Sequence, residues 1–249
     1  MPQWQDEGII LRRRSLGEGK VIVDIFTQTH GRAAGVLRVG ATGKSARKDK
    51  GGAFQIGMIV NVSWRARLRE HLGQWQLEGA GSHIAHLLGE RALLQVLLTK
   101  CTLLSFLLPE QAPHPHLYAL LKTSLHTMPR QGLLWHQYIK FELFLLKELG
   151  FGLELDKCVV TQANTNLKWV SPKTGKAVGA EAGAPYARKL LPLPAFLYEG
   201  TIPNQQDMVA AFDLTGYFLH KHFSDLPAYE AWEIQRRSLR GMIENDRAP

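Results

Sequence analysis

Along Val60–Arg69 the chain alternates strictly. Val60, Val62, Trp64, Ala66 and Leu68 fall on one side, and Arg65, Arg67 and Arg69 share the other. A period of two predicts a β-strand with one apolar and one basic face. Four further segments before residue 80 read the same way, so the predicted strands are Gly8–Arg14, Lys20–Thr27, Arg32–Val39, Met58–Leu68 and Gly73–Glu78. Gly17-Glu18-Gly19 and Thr29-His30-Gly31 supply tight connections. Trp64 and Trp75 lie on the apolar sides of their strands and are expected in the core.

Five short, closely spaced antiparallel strands predict a small closed barrel of the OB-fold type, with an SH3-like barrel as the structural rival. From about Ile84 the period becomes helical. A run of eleven apolar residues from Leu87 to Leu107 predicts a core helix that ends before Pro109. Further helices are predicted at about Leu117–Thr127, at Leu133–Leu149 with Gly150 as its C-terminal cap, at Gln205–His222 and at Ala228–Arg240. Between them, residues 155–194 are rich in Gly, Pro, Lys, Asn and Thr and predict a small β-hairpin insertion. The expected class is α+β: a barrel domain over residues 1–80, then a helical domain over 81–249 carrying the insertion. No internal repeat is visible.

Charge sharpens this picture. The 249 residues carry a net +8, and Arg12–Arg69 alone holds thirteen Lys or Arg against three acids, Glu18, Asp24 and Asp49. The basic excess is therefore regional and points to a polyanion. Guanidiniums about 7 Å apart along a strand approach the phosphate spacing of an extended nucleic-acid strand. The candidate phosphate-binding residues are Arg12, Arg14, Lys20, Arg32, Arg38, Lys44, Arg47, Lys48, Lys50, Arg65, Arg67 and Arg69, with Lys44–Lys50 expected to form a mobile basic loop. Solubility alone also favours charged sheet faces, so one such strand does not decide the matter.

Chemistry-bearing motifs are few. Gly43-Lys44-Ser45 follows a predicted strand, but a phosphate loop needs glycine where Arg38 stands. His83 with His86, and His114 with His116, lack a third ligand of suitable type, while His220 and His222 sit where a helix dipole favours them. No nucleophile elbow, dinucleotide fingerprint or paired-carboxylate site occurs, so no enzyme activity is expected. Two cysteines, Cys101 and Cys158, build neither a disulfide framework nor a four-cysteine metal site. The opening residues lack a signal-peptide pattern and no apolar run reaches spanning length, so a cytoplasmic address is the default expectation.

Asp6-Glu7-Gly8-Ile9-Ile10-Leu11, the Gly17-Glu18 turn, Phe26-Thr27 to His30-Gly31-Arg32, and Tyr138-Ile139-Lys140-Phe141-Glu142-Leu143 through Leu149-Gly150-Phe151-Gly152 together resemble the bacterial recombination mediator RecO family. The resemblance covers nearly the whole chain. It implies an N-terminal OB-fold, a helical domain with a zinc-finger-like excursion, binding of single- and double-stranded DNA, strand annealing, partnership with RecR, and help to RecA in replacing single-strand-binding protein. Many relatives carry two Cys-x-x-Cys pairs in the excursion. Here Cys158 remains, Thr161 stands in its partner's place, and the second pair falls near Gly183–Ala187, where no cysteine exists. No zinc and no other cofactor is therefore expected, and the hairpin is expected to be held by packing through Trp169, Val170 and Tyr186.

The leading expectation is a non-enzymatic DNA-binding and annealing factor in recombinational repair, associated with the nucleoid. The alternatives are an RNA-binding OB-fold module and a helical scaffold contacting acidic proteins. The resemblance also implies a site for the acidic C-terminal tail of single-strand-binding protein. Lys140 and Lys147 for its carboxylates, with Phe141 and Phe144 for its apolar end, are the candidates on Leu133–Leu149.

Overall fold

The computed structural model describes residues 1–17, 19–38, 54–68, 71–79, 89–126 and 133–246. Lys44, Arg47, Lys48, Lys50, Arg69, His83 and His86 lie outside the described residues, as does the segment expected to form a mobile basic loop. The chain forms two compact units, Met1–Met128 and Pro129–Pro249.

In the first unit β1 (Gln3–Gly17), β2 (Lys20–Thr27), β3 (Gly31–Arg38), β4 (Ile59–Arg65) and β5 (Gly73–Gly79) close into a barrel of order β1-β2-β3-β5-β4. That order is the OB-fold arrangement. Strand β1 is far longer than its apolar core because it serves two neighbours, pairing with β4 through Gln3–Ile9 and with β2 through Gly8–Gly17. Gln3, Gln5, Asp6 and Glu7, with Trp4 the one apolar residue among them, hide its first half from a hydrophobicity pattern. Strand β4 stops at Arg65, short of the predicted Leu68, because both of its ladders end there: Arg65 pairs with Gln3 of β1 and with Gln74 of β5. Leu68 is consequently exposed, whereas Val60, Val62, Trp64 and Ala66 are buried as the alternation requires.

Trp64 and Trp75 fill the barrel. The Trp64 indole donates to the Ala34 carbonyl at 3.1 Å and Trp75 to that of Val23 at 3.0 Å. Gly35 makes room for Trp75 and Gly73 for Trp64, since a Cβ at Gly35 would sit 2.7 Å from the Trp75 nitrogen and one at Gly73 2.0 Å from that of Trp64. Helices α1 (Arg91–Leu107) and α2 (Pro115–His126) complete this unit. Tyr118 of α2 packs edge-on against Phe26, with centroids 5.5 Å apart, and its hydroxyl donates to Glu7 at 2.8 Å. Lys122 meets the same carboxylate at 2.6 Å.

The second unit contains α3 (Leu133–Glu148), β6 (Leu167–Val170), β7 (Ala177–Gly179), a short helical turn α4 (Ala180–Gly183), β8 (Leu191–Pro192), α5 (Gln205–Phe223) and α6 (Tyr229–Asn245). Gly150 ends α3 at φ +86°. Its N–H donates to the Lys147 carbonyl and that of Phe151 to Leu146, the paired bonds of a Schellman motif. Asn204 and Asp207 cap α5 reciprocally. At the centre lies a buried ion pair: Arg236 of α6 holds Glu142 of α3 through Nε and Nη2, both at 2.8 Å, and Thr215 of α5 donates to the same carboxylate at 2.5 Å. Burial pushes the guanidinium toward neutrality, but Glu142 more than offsets this and keeps it charged.

The insertion is the three-stranded sheet β7-β6-β8. Val170 is buried and Trp169 half-buried, as packing of the hairpin demands, but Tyr186 is 60% exposed and takes no part. The last strands are so short that Tyr186 falls on a 3-10 turn, Ala184–Lys189, outside the sheet. Tyr198 does bind the sheet: its hydroxyl donates to the Leu167 carbonyl of β6 at 2.7 Å.

Candidate nucleic-acid interface

The register of the first three strands decides which cations meet. Arg12 lies opposite Asp24, Arg14 opposite Ile22, and Lys20 opposite both Gly17 and Arg38. Asp24 continues across to Ala34, and Ile22 to Val36. Side chains alternate between barrel interior and exterior, and the interior positions are taken by Val23, Ile25, Ala33 and Leu37. Arg12, Arg14, Lys20 and Arg38 therefore share one exterior face of β1-β2-β3, and all four are exposed. Residues far apart in sequence, such as Arg12 and Arg38, reach the same face because hairpin pairing cancels the separation.

At the middle of this face Asp24 is only 3% exposed. Its Oδ1 has no hydrogen-bond partner, although Arg14 Nη2 stands 3.7 Å from it. Burial pushes the carboxyl up and the Arg14, Arg32 and Arg12 charges pull it down, with a net rise. In the sequence Asp24 is one acid among many bases, with no sign that they enclose it.

The other candidates divide. Arg32 is largely committed to structure: its Nε donates to the Leu108 carbonyl at 2.7 Å, it pairs with Glu110, and its side chain is 15% exposed. It cannot move to a phosphate without releasing the segment that follows α1. Arg65 and Arg67 are exposed, but β4 ends between them, so Arg67 lies beyond the strand and the pleat does not set its spacing from Arg65. Arg65 donates to Gln74 at 3.2 Å, and Gln74 in turn lies beside Val36. Through that register Arg14, Ile22, Val36, Gln74 and Arg65 form one exterior row running around the barrel. Arg13 faces inward and donates to the Phe54 carbonyl, which explains why alternate arginines differ in role.

On α3, Lys140, Phe144 and Lys147 are spaced to share one helix face, and both lysines are exposed with Phe144 half-buried between them. Phe141 is 1% exposed and belongs to the core, so it offers no surface to a ligand. It lies one residue off the lysine face, which turns it inward by about 100°.

The excursion does not fit a zinc ion. The Cys158 sulfur accepts backbone N–H bonds from Gly179 at 3.2 Å and Thr161 at 3.5 Å, and a single thiolate is one donor where a closed zinc site needs four. Among the described residues, no group of three or more His, Cys, Asp or Glu side chains is placed to hold a metal. The residue that faces Cys158 across the hairpin is Gly179, not one of Gly183–Ala187: a Cβ at Gly179 would stand 3.6 Å from the sulfur. Burial alone would raise the Cys158 thiol, but hydrogen bonds from Thr161, Gly179 and Val160 bring it down to about 7. Among the described residues, no helix is long and apolar enough to cross a membrane.

Residues 1–79 match the family model described as Recombination protein O N terminal, and residues 91–227 match Recombination protein O C terminal. The chain is similar to the DNA repair protein RecO of Rhizobium rhizogenes, 42% identical over 222 residues that cover 88% of this chain and 83% of the relative. Similarity to the RecO of Agrobacterium fabrum is 41% over 225 residues, covering 90% and 86%. With that of Sinorhizobium medicae it is 40% over 221 residues, covering 88% and 86%. Barrel order, helical second unit and matches along both units lead to one conclusion: the chain belongs to the RecO family.

Proposed function

We propose that this protein acts in DNA repair as a non-enzymatic DNA-binding and strand-annealing factor, working with RecR to help RecA load on DNA coated by single-strand-binding protein. The observation that carries the DNA-binding part is the shared exterior face of Arg12, Arg14, Lys20 and Arg38. Cations on a rigid sheet contact phosphates and leave base edges free. Annealing follows from the same physics: two strands repel until a basic surface neutralises both, after which their unread bases pair. Nothing in that series of events makes or breaks a covalent bond. On α3, Lys140 and Lys147 with Phe144 between them support a receptor for an acidic tail that ends in an apolar residue. The RecR and RecA parts rest on membership of the family.

Titration of the full chain against single-stranded DNA, duplex DNA, RNA of the same sequence and an acidic peptide, each at several salt concentrations, tests the proposal. The expected result is steep salt dependence with both DNA forms and faster annealing of complementary strands. Equal or stronger binding to RNA transfers the reading to an RNA-binding module. Binding of the acidic peptide alone makes the barrel a protein-contacting scaffold.

A further inference from the structure

At one end of the barrel the side chains of Trp64, Trp4 and His30 are piled face to face. Trp4 of β1 pairs directly with Trp64 of β4, their rings 5.4 Å apart and inclined by 19°. His30, in the turn between β2 and β3, lies flat on Trp4 at 4.2 Å and 6°. The inner end of the pile is closed: Trp64 is buried, and Trp75 meets Trp4 edge-on at 5.6 Å. The outer end is not. The His30 side chain remains 37% exposed although Trp4 covers one of its faces.

The imidazole is also fixed in its plane. Its Nδ1 is 3.1 Å from Asp6 Oδ2 and 3.0 Å from the Thr29 hydroxyl, and Asp6 is held in turn by the Thr29 N–H and hydroxyl, both at 2.8 Å. A ring locked at its edge, backed by two indoles and open outward presents a preorganised flat surface. Arg65 and Arg67 follow Trp64 in the chain, and Arg65 pairs with Gln3, the residue before Trp4. Exposed cations thus lie next to the strands that carry the pile.

We propose that His30, backed by Trp4, is a stacking platform for one unpaired nucleobase of single-stranded DNA. The inference rests on the DNA-binding reading above and adds to it. A base laid on His30 extends the pile by one ring, while Arg65 and Arg67 take neighbouring phosphates. Stacking of this kind tolerates any base and strengthens binding to single strands, since the bases of a duplex are already stacked on each other. It gives the protein a means of telling single strands from duplex that the phosphate-binding face lacks.

The test compares an oligothymidine strand with an abasic strand of equal length and charge. The unsubstituted protein is expected to bind the oligothymidine about 5-fold to 150-fold more tightly, the range for one stacked base. His30→Ala removes that preference while leaving the salt dependence unchanged, and His30→Phe, which keeps a flat ring without the Asp6 contact, restores most of it. Thermal melting of both variants shows that the turn still folds. If the unsubstituted protein binds both strands equally, or if His30→Ala keeps the full preference in a folded protein, the platform does not exist. Failure of the DNA-binding reading looks different, because neither strand then binds with salt dependence. A preference for unpaired RNA over DNA of the same sequence moves the platform to a different polymer and overturns the proposal as stated.

Discussion

Replacing Arg12, Arg14, Lys20 and Arg38 together by Ala removes the exposed cations that the register of β1, β2 and β3 brings to one face. Every phosphate left without its cation flattens the plot of log K against log salt by about 0.7 for a single strand and about 0.9 for duplex. Four such phosphates therefore lower the slope by about 3 on single strands and by about 4 on duplex. Because 50 and 200 mM salt differ by about 0.6 in log units, the deficit of the variant on single strands is about 50-fold larger at 50 mM than at 200 mM. The weakening is uniform across base sequences, since phosphates carry no sequence information. The assay is fluorescence-anisotropy titration at four or more salt concentrations on two unrelated sequences.

The same substitution leaves Asp24 buried with only Arg32 remaining of its three cations. Its carboxyl, already raised, rises further. A carboxyl raised in the folded state has its stability present below the unfolded value near 3.8 and loses it as pH rises through the folded value. The variant is thus less stable than the parent at neutral pH, the gap closes in acid, and adding Asp24→Asn recovers the stability at pH 7. A slope change below one unit, a deficit that does not vary with salt, or a weakening confined to one base sequence refutes the phosphate-tracking account.

Three further outcomes are expected. Glu142→Ala strands the Arg236 charge in the core and costs about 3–5 kcal/mol in urea unfolding, whereas Glu142→Leu with Arg236→Met costs much less; a larger cost in the double variant contradicts this. Purified protein holds no stoichiometric zinc by elemental analysis and keeps its melting temperature in chelator, because Cys158 has no cluster of further ligands around it among the described residues; one tightly held zinc per chain would disprove it. Lys140→Ala with Lys147→Ala weakens binding of an acidic, apolar-ended peptide at least several-fold at low salt, and unchanged affinity in isothermal titration places the receptor elsewhere.

Much of the architecture is legible in the order of residues. Lys20–Thr27 is delimited by its own pattern, the core helix ends before Pro109, and Gly150 caps α3, because alternation, apolar periodicity and glycine's access to positive φ are local properties. The basic excess of Arg12–Arg69 is equally plain. What alternation cannot decide is where a ladder runs out of partners: β4 ends at Arg65 because its pairing with Gln3 and Gln74 ends there, which leaves Arg67 beyond the strand. Nor can it separate a free cation from an engaged one. Arg32 and Arg38 look alike in sequence, yet Arg32 is bound to the Leu108 carbonyl and Glu110, while Arg38 faces solvent opposite Lys20. Phe141 and Phe144 differ only by the turn of a helix, and that turn sends the first into the core. The Trp64–Trp4–His30 pile joins residues from β4, β1 and the β2–β3 turn. Composition and local period set which elements form and how much charge they carry, whereas the partner of each side chain depends on long-range pairing, and only the closed barrel fixes that.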